Sequence, residues 1–275
     1  MTAARGILML FDNMNRDYVT RLHSGASRYR SPNNLELRMQ NLHGTDAKPD
    51  ELIEDEATGG VILTAPLSDD RHLLLGLERR GIPFARIAPM LDLERGITVC
   101  MDEYDAARAV TAILLDAGHR HIGIIRGPRS HLSSIRRYNG FTAGLGAGGL
   151  KVDPRLVVEG DYTRASGEAE GPKLVAAGAT AIFASNDAMA AGFVDAANKS
   201  RKKLPQDISI VGFDDDPIAK TMNPQLTSVR QPLEEMGAKA VELLAEAMAG
   251  KGSATSHVDV PFTIIERSSV APPLA

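Results

Sequence analysis

Asp12, Asn15, Thr64, Asp102, Arg126, Asn186, Asp187, Asp214, Asp215 and Asp216 each stand just behind a short apolar run of the chain. Apolar runs of that length suit buried strands, and ligands of α/β sheets gather at the carboxyl ends of such strands. The triplet Asp214-Asp215-Asp216 admits two chemistries. Carboxylates at a strand end can hold a hard divalent cation. They can also accept hydrogen bonds from a neutral polyhydroxyl ligand while capping the short helix that follows. The second suits this chain better, because Asp12 and Asp102 are the only further acidic strand ends of the phosphotransfer kind.

Arg137 offers the complementary chemistry. Ile135, Tyr138, Phe141 and Leu145 recur at helical spacing as one apolar stripe, and Arg137 lies off it. Its guanidinium either donates a fork of hydrogen bonds to adjacent hydroxyls or to a carboxylate, or is a solvated surface charge. Tyr162 follows a strand and is either an aromatic platform for the apolar face of a sugar or a core residue. Other patterns carry less. Gly144, Gly146 and Gly149 match Gly-x-Gly-x-x-Gly but follow a helix instead of a strand, so they end a helix and bind no dinucleotide. His119 and His121 would share a strand face as metal ligands, but a polar turn Gly118-His119-Arg120-His121 is the simpler assignment. Cys100 has no assignable basic partner for a nucleophilic role. No metal, no cofactor and no enzymatic activity are expected.

These residues need a scaffold, and the periodicity supplies one. Short apolar runs at Gly6–Phe11, 60–63, Phe84–Ile87, Ile97–Met101, 122–125, 181–184, 208–213, 226–229 and 262–265 alternate with helical stretches at 16–30, 73–80, 102–117, 134–145, 166–177, 187–198 and 234–248. Leu35 to Gln40 is a weaker strand candidate, and 50–56 a short polar helix. Asp102 with Asp105 reads as a capping pair, and Pro172 argues for a kink or a delayed helix start. This is βαβα order, with parallel sheets covered by helices on both faces.

The 275 residues allow one large domain or two lobes. Charged residues are 24% and the formal net charge is −4, which is not the field of a nucleic-acid reader. A single cysteine excludes an internal disulfide and a multi-thiolate metal cage. The absence of tryptophan, with aromatics at 4%, makes the core aliphatic. The first apolar run is too short for a secretory signal, and no window reaches transmembrane length. A cytoplasmic setting is expected, with no membrane partner.

At the level of ordered motifs, the chain resembles the effector-binding domain of the bacterial LacI/GalR family of transcriptional regulators. The resemblance rests on Gly118-His119-Arg120-His121-Ile122-Gly123, Gly127-Pro128, Arg137-x-x-Gly140-Phe141 and Glu159-Gly160-Asp161-Tyr162. It continues through Asn186-Asp187-x-Met189-Ala190, Leu204-Pro205-x-Asp207-Ile208-Ser209-Ile210-Val211-Gly212-Phe213-Asp214-Asp215, Arg230-Gln231-Pro232 and Glu266-Arg267-Ser268. It implies two similar Rossmann-like lobes of the periplasmic-binding-protein type I fold, with a ligand cleft between them. The N-terminal lobe would hold 5–100 and 230–250, and the C-terminal lobe 101–228 and 254–269. By the same resemblance Asp12, Asn15, Tyr18, Asp102, Arg137, Tyr162, Asn186 and Asp214 face a small-molecule effector, a sugar, polyol or related metabolite. Arg137 donates, Asp214 and Asp102 accept, and Asn186 does both, the mixture a vicinal diol needs.

The family also implies a homodimer, with operator DNA bound only through an N-terminal helix-turn-helix head. This chain reaches its first strand near Ile7, so that head is not expected within it. Two departures touch the first lobe. Asn15-Arg16-Asp17-Tyr18 replaces the family's usual Asn-Pro-Phe-Phe, and Ile87-Ala88-Pro89 lacks its usual Asp-Arg pair. The alternatives to a regulator's sensing module are a periplasmic solute-binding protein of a sugar transporter and an enzyme acting on a sugar at the same place.

Overall fold

The structure, a computed structural model, describes residues 6–13, 15–28 and 35–274. The expected turn residue Met14 and the expected helix end at 29–34 lie outside the described residues. The chain divides into two compact units, and strands and helices are numbered here along it. The first unit takes in the chain to Met101 together with Pro232–Pro261, and the second is Asp102–Gln231 with Phe262–Ala275.

The first unit carries β1 (Gly6–Phe11), β2 (Leu37–Asn41), β3 (Thr58–Thr64), β4 (Phe84–Ile87), β5 (Ile97–Cys100) and β11 (Ser256–Asp259). They form one sheet in the order β11-β5-β4-β3-β1-β2, every pairing parallel. Its helices are α1 (Arg16–Arg28), α2 (Pro49–Ile53), α3 (Arg71–Arg80) and α9 (Leu233–Met248). β1 is buried at every residue, as a strand covered on both faces must be. The family resemblance assigns 254–269 to the other lobe. In the structure 254–261 belongs to the first unit, because β11 pairs with β5 from Ser256↔Ile97 to Asp259↔Cys100. β11 escapes sequence reading because an edge strand exposed on alternate residues has no continuous apolar run.

The second unit repeats the plan with β6 (Ile122–Arg126), β7 (Val157–Glu159), β8 (Ala181–Ala184), β9 (Ser209–Asp214), β10 (Thr227–Arg230) and β12 (Thr263–Ile265). The order is β12-β10-β9-β8-β6-β7, parallel except for β12 on β10. Helices α4 (Glu103–Asp116), α5 (Leu132–Ala147), α6 (Arg164–Ala176), α7 (Asp187–Lys199) and α8 (Pro217–Thr221) complete it. On one face Ile125, Ile182, Ile210, Leu174 and Phe193 form a continuous aliphatic-aromatic core. The closing stretch is laced to the sheet. Ser269 Oγ accepts from Thr227 N–H at 2.8 Å and donates to Ile210 O at 2.6 Å. His119 is buried there, with Nε2 donating to Ala271 O at 2.9 Å and Nδ1 lying 3.0 Å from Thr180 Oγ1. That is a structural role, in place of the metal ligation weighed above.

Pro172 neither delays nor ends α6. The helix starts at Arg164 behind the Thr163 cap and runs through the proline. Tertiary contact with α7 overrides the local cost. A Cβ on Gly192 would stand 1.8 Å from the Arg164 carbonyl oxygen, so only glycine lets the two helices approach this closely. Gly192→Ala is expected to cost about 1–3 kcal/mol or more by overpacking, read as a lower urea midpoint; an unchanged midpoint would contradict the crossing.

The α5 stripe also differs from expectation. Its buried residues are Ser134, Arg137, Gly140, Phe141, Gly144 and Leu145, while Ile135 stands exposed. Phe141 and Leu145 of the expected stripe are buried, and glycines at 140 and 144 let α4 lie against this helix, so the buried face also takes in small residues and Arg137. Gly149, at φ +74°, closes the turn after α5, in keeping with a helix end.

In the first unit a buried arginine organises the loop after β4. Arg86 is fully buried and donates to the carbonyls of Ser68 (2.6 Å), Asp92 (2.7 Å), Arg95 (3.2 Å) and Leu91 (2.7 Å), and to Asp69 Oδ1 (2.8 Å). Asp69 in turn accepts from the Met90 and Leu91 N–H groups. Arg86 and Asp69 together hold the loop that follows β4.

Candidate functional site

At the carboxyl end of the second sheet, β9 runs into the acidic triplet, and its residues part company. Asp214 and Asp215 take φ of +109° and +52°. Ser228 and Asp187 hold this strained turn from behind. Ser228 Oγ accepts from Asp215 N–H at 3.1 Å and donates to Asp187 Oδ1 at 2.7 Å. Asp187 Oδ2 accepts from Asp216 N–H at 2.8 Å. Burial, and then the charge of Asp214, hold the Asp187 carboxyl well above the usual range. The Asp215 carboxylate, 1% exposed, bridges Arg230 (2.7 Å) and Arg267 (2.5 Å). That gives the Glu266-Arg267-Ser268 motif a physical task. It also consumes Asp215 in the fold, which disfavours the triplet as a cation site. Among the described residues no cluster of His, Cys, Asp or Glu is arranged to hold a metal ion.

Asp214 faces Arg137. Its Oδ1 accepts from Gln231 Nε2 at 2.6 Å and lies 3.7 Å from Arg137 NH1. Arg137 is buried, not solvated. Nε and NH2 reach the two Glu103 oxygens, each at 3.2 Å, NH1 donates to Ser185 O at 2.6 Å, and the guanidinium stacks on Phe213 at 3.7 Å. Burial alone would lower the Arg137 pKa; Glu103 and Asp214 outweigh it and raise it. The arginine is therefore permanently charged and held rigid beside Asp214.

Tyr162 is half-buried at φ +67°. Its ring fills the space over Gly127, where a Cβ would stand 2.2 Å from Tyr162 Cζ, and its hydroxyl lies 3.4 Å from Ser133 Oγ. Asn186 caps α7 by accepting from Met189 N–H at 2.9 Å, and donates through Nδ2 to Tyr162 O at 3.0 Å. It ties the aromatic to the strand end. Asp102 is an exposed helix cap that accepts from Asp105 N–H at 3.0 Å, as the capping pair predicts. Of the five expected residues in this unit, Arg137 and Asp214 meet directly, Asn186 holds the backbone of Tyr162, and Asp102 stands at the start of α4.

In the first unit, Asp12, Asn15 and Tyr18 gather behind β1. Asp12 Oδ1 lies 2.9 Å from His43 Nδ1. Asn15 Oδ1 accepts from the N–H groups of Asp17 (3.0 Å) and Tyr18 (3.2 Å), a cap that opens α1. Thr64 is buried and spends its hydroxyl on Leu10 O.

Sequence reasoning overlooked Glu103, Gln231 and Phe213. Glu103 left a signal. It falls at helical spacing from Ala106, Ala107 and Val110 on the buried face of α4, and a carboxylate there demands a buried cation. Gln231 and Phe213 stand inside the Arg230-Gln231-Pro232 and Gly212-Phe213-Asp214 motifs, but nothing local marks them as partners of Asp214 and Arg137.

Asp214 makes a pH prediction. Burial pushes its carboxyl from 3.8 up to about 7; Arg137 opposes this, Asp216 adds to it, the Gln231 hydrogen bond opposes it, and Glu103 adds again. Between the unfolded and folded values the folded chain binds more protons, so stability falls as pH rises through that window. Asp214→Asn should flatten the decline of melting temperature between about pH 5 and pH 8. Buried His119, its pKa lowered by burial, contributes with the opposite sign, and the difference between variant and wild type removes it. Equal slopes in the two proteins would contradict a raised Asp214.

The chain matches the model of the periplasmic binding protein-like domain over residues 111–270. It is 32% identical to the HTH-type transcriptional regulator CelR of Thermobifida fusca, over 72% of this chain and 62% of that protein. It is 32% identical to the HTH-type transcriptional repressor CytR of Escherichia coli K12, over 78% of this chain and 64% of that protein. A crystal structure of a LacI family transcriptional regulator from Mycobacterium smegmatis superposes with a TM-score of 0.83 at 25% identity, covering 98% of this chain and 100% of that one. The chain belongs to the LacI family. The CelR–cellobiose complex superposes on this LacI-family chain with a TM-score of 0.86 at 25% identity, covering 97% of it and 85% of CelR. The LacI-family chain spans a little over three fifths of the lengths of CelR and CytR. No helix among its described residues is long and apolar enough to cross a membrane.

Proposed function

We propose that this chain is the effector-binding and dimerisation part of a cytoplasmic LacI-type transcriptional regulator, and that its effector is a sugar or sugar derivative. DNA is bound by a head outside this chain, and effector binding biases that head. Asp12, Asn15 and Tyr18 of the first unit and Asp102, Arg137, Tyr162, Asn186 and Asp214 of the second contact the effector. The observation that carries this reading is the rigid Arg137 guanidinium beside Asp214 at the carboxyl ends of parallel strands. A donor fork next to an acceptor matches adjacent hydroxyls, each of which accepts one hydrogen bond and donates another. That the curated relatives are named as regulators supports this role over a transporter's binding protein or an enzyme.

A thermal-shift panel of sugars, polyols, sugar acids and nucleosides, cellobiose among them, tests the reading. A bound effector raises the melting temperature by mass action. A panel that leaves the temperature unchanged would sink the sugar assignment, and turnover of a bound sugar would replace it with an enzyme. Sedimentation at micromolar concentration should show a homodimer, and a monomer would remove the dimerisation role.

A further inference from the structure

The Arg137 cation is already neutralised inside the fold. Glu103 holds it through two hydrogen bonds of 3.2 Å, and the two side chains are only 7% and 6% exposed. Asp214 adds a second carboxyl at 3.7 Å, and the electron-rich face of Phe213 lies beneath. Asp216 shares the turn with Asp214, and the buried Asp187 at the start of α7 accepts from Asp216 N–H at 2.8 Å. Arg126, a further guanidinium at this sheet end, is turned onto the Tyr138 ring at 4.6 Å. Arg230 and Arg267 are spent on Asp215. An anionic group reaching Arg137 would therefore have to displace Glu103 and strand it, buried and unpaired, or sit against Asp214. An uncharged hydroxyl meets neither obstacle, because it can accept from the free part of the fork and donate to Asp214.

We infer that Glu103 sets the charge class of the ligand: the site takes an uncharged polyhydroxyl molecule and rejects sugar acids and sugar phosphates. The inference rests on the effector-site reading proposed above, and its test needs no effector. Inorganic sulfate, at low millimolar concentration and with chloride at matched ionic strength as reference, is the probe. Calorimetry should detect no saturable sulfate binding to the wild-type chain. Glu103→Gln keeps the side-chain shape and removes the charge, and should raise sulfate affinity about tenfold or more. That gain should vanish in the Glu103→Gln/Arg137→Gln double variant. Wild-type sulfate binding abolished by Arg137→Gln, or no gain in Glu103→Gln, would overturn the inference. Should Glu103→Gln fail to fold, the Arg137 Nε–Hε resonance of the wild type decides. A resonance unmoved by sulfate supports the exclusion, and a saturable shift overturns it. A sugar panel without a binder would sink the effector reading alone, and the sulfate outcome would stand apart from it.

Discussion

Arg137→Ala is expected to destabilise the second unit by about 3–5 kcal/mol, the cost of leaving a buried ion pair with one partner. The loss has identifiable parts. Glu103 remains on the buried face of α4 without a counter-charge, Ser185 O loses its donor, and Phe213 loses the plane stacked on it. Glu103→Ala/Arg137→Ala should recover part of the loss, because no buried charge is then left unpaired, and the double-mutant cycle isolates the coupling. Urea unfolding measures all three proteins. Additive single-variant losses would show that the pair is not coupled. The same variant should weaken effector binding at least tenfold, roughly 1.4 kcal/mol or more. Calorimetry below the unfolding transition separates the two effects, and unchanged affinity would remove Arg137 from the gripping role.

Arg86→Leu is expected to cost a comparable amount, about 3–5 kcal/mol, in the first unit. Leucine fills some of the volume but donates nothing. Four carbonyls and the Asp69 carboxylate would lose the donors that Arg86 supplies. Ala88 and Asp92, at φ +52° and +47°, lie in the loop those bonds pin, so the strain they carry would lose its restraint. Hydrogen exchange should show faster exchange of the Met90 and Leu91 amides, which Asp69 now accepts. Protection equal to wild type would contradict an organising role for Arg86.

The residues most legible in sequence were those whose local chemistry is self-contained. Asp102 with Asp105 reads as a cap because both partners lie within one helical turn. Gly6–Phe11 reads as a buried strand because every one of its side chains is apolar. Arg137 was recognisable as a residue of interest but not as a buried one, since its burial depends on α4 lying against Gly140 and on a carboxylate from another helix. Arg86 gave no warning at all. It sits in a four-residue strand, and its acceptors are backbone carbonyls, which every sequence possesses.

By itself, the amino-acid sequence determined the alternation of strands and helices, the family, and the strand ends at which chemistry would gather. The alternation and the strand ends follow from continuous apolar runs, a 3.6-residue period and caps formed within a turn, and the family follows from the resemblance of the ordered motifs. Only the tertiary structure decided which charge each buried charge meets. Asp215 is spent on Arg230 and Arg267, Asp187 on the turn at Asp216, and Glu103 on Arg137, while Asp214 stands beside the Arg137 fork. The physical reason is that a buried charge costs free energy unless a partner reaches it, and such partners come from elements distant along the chain.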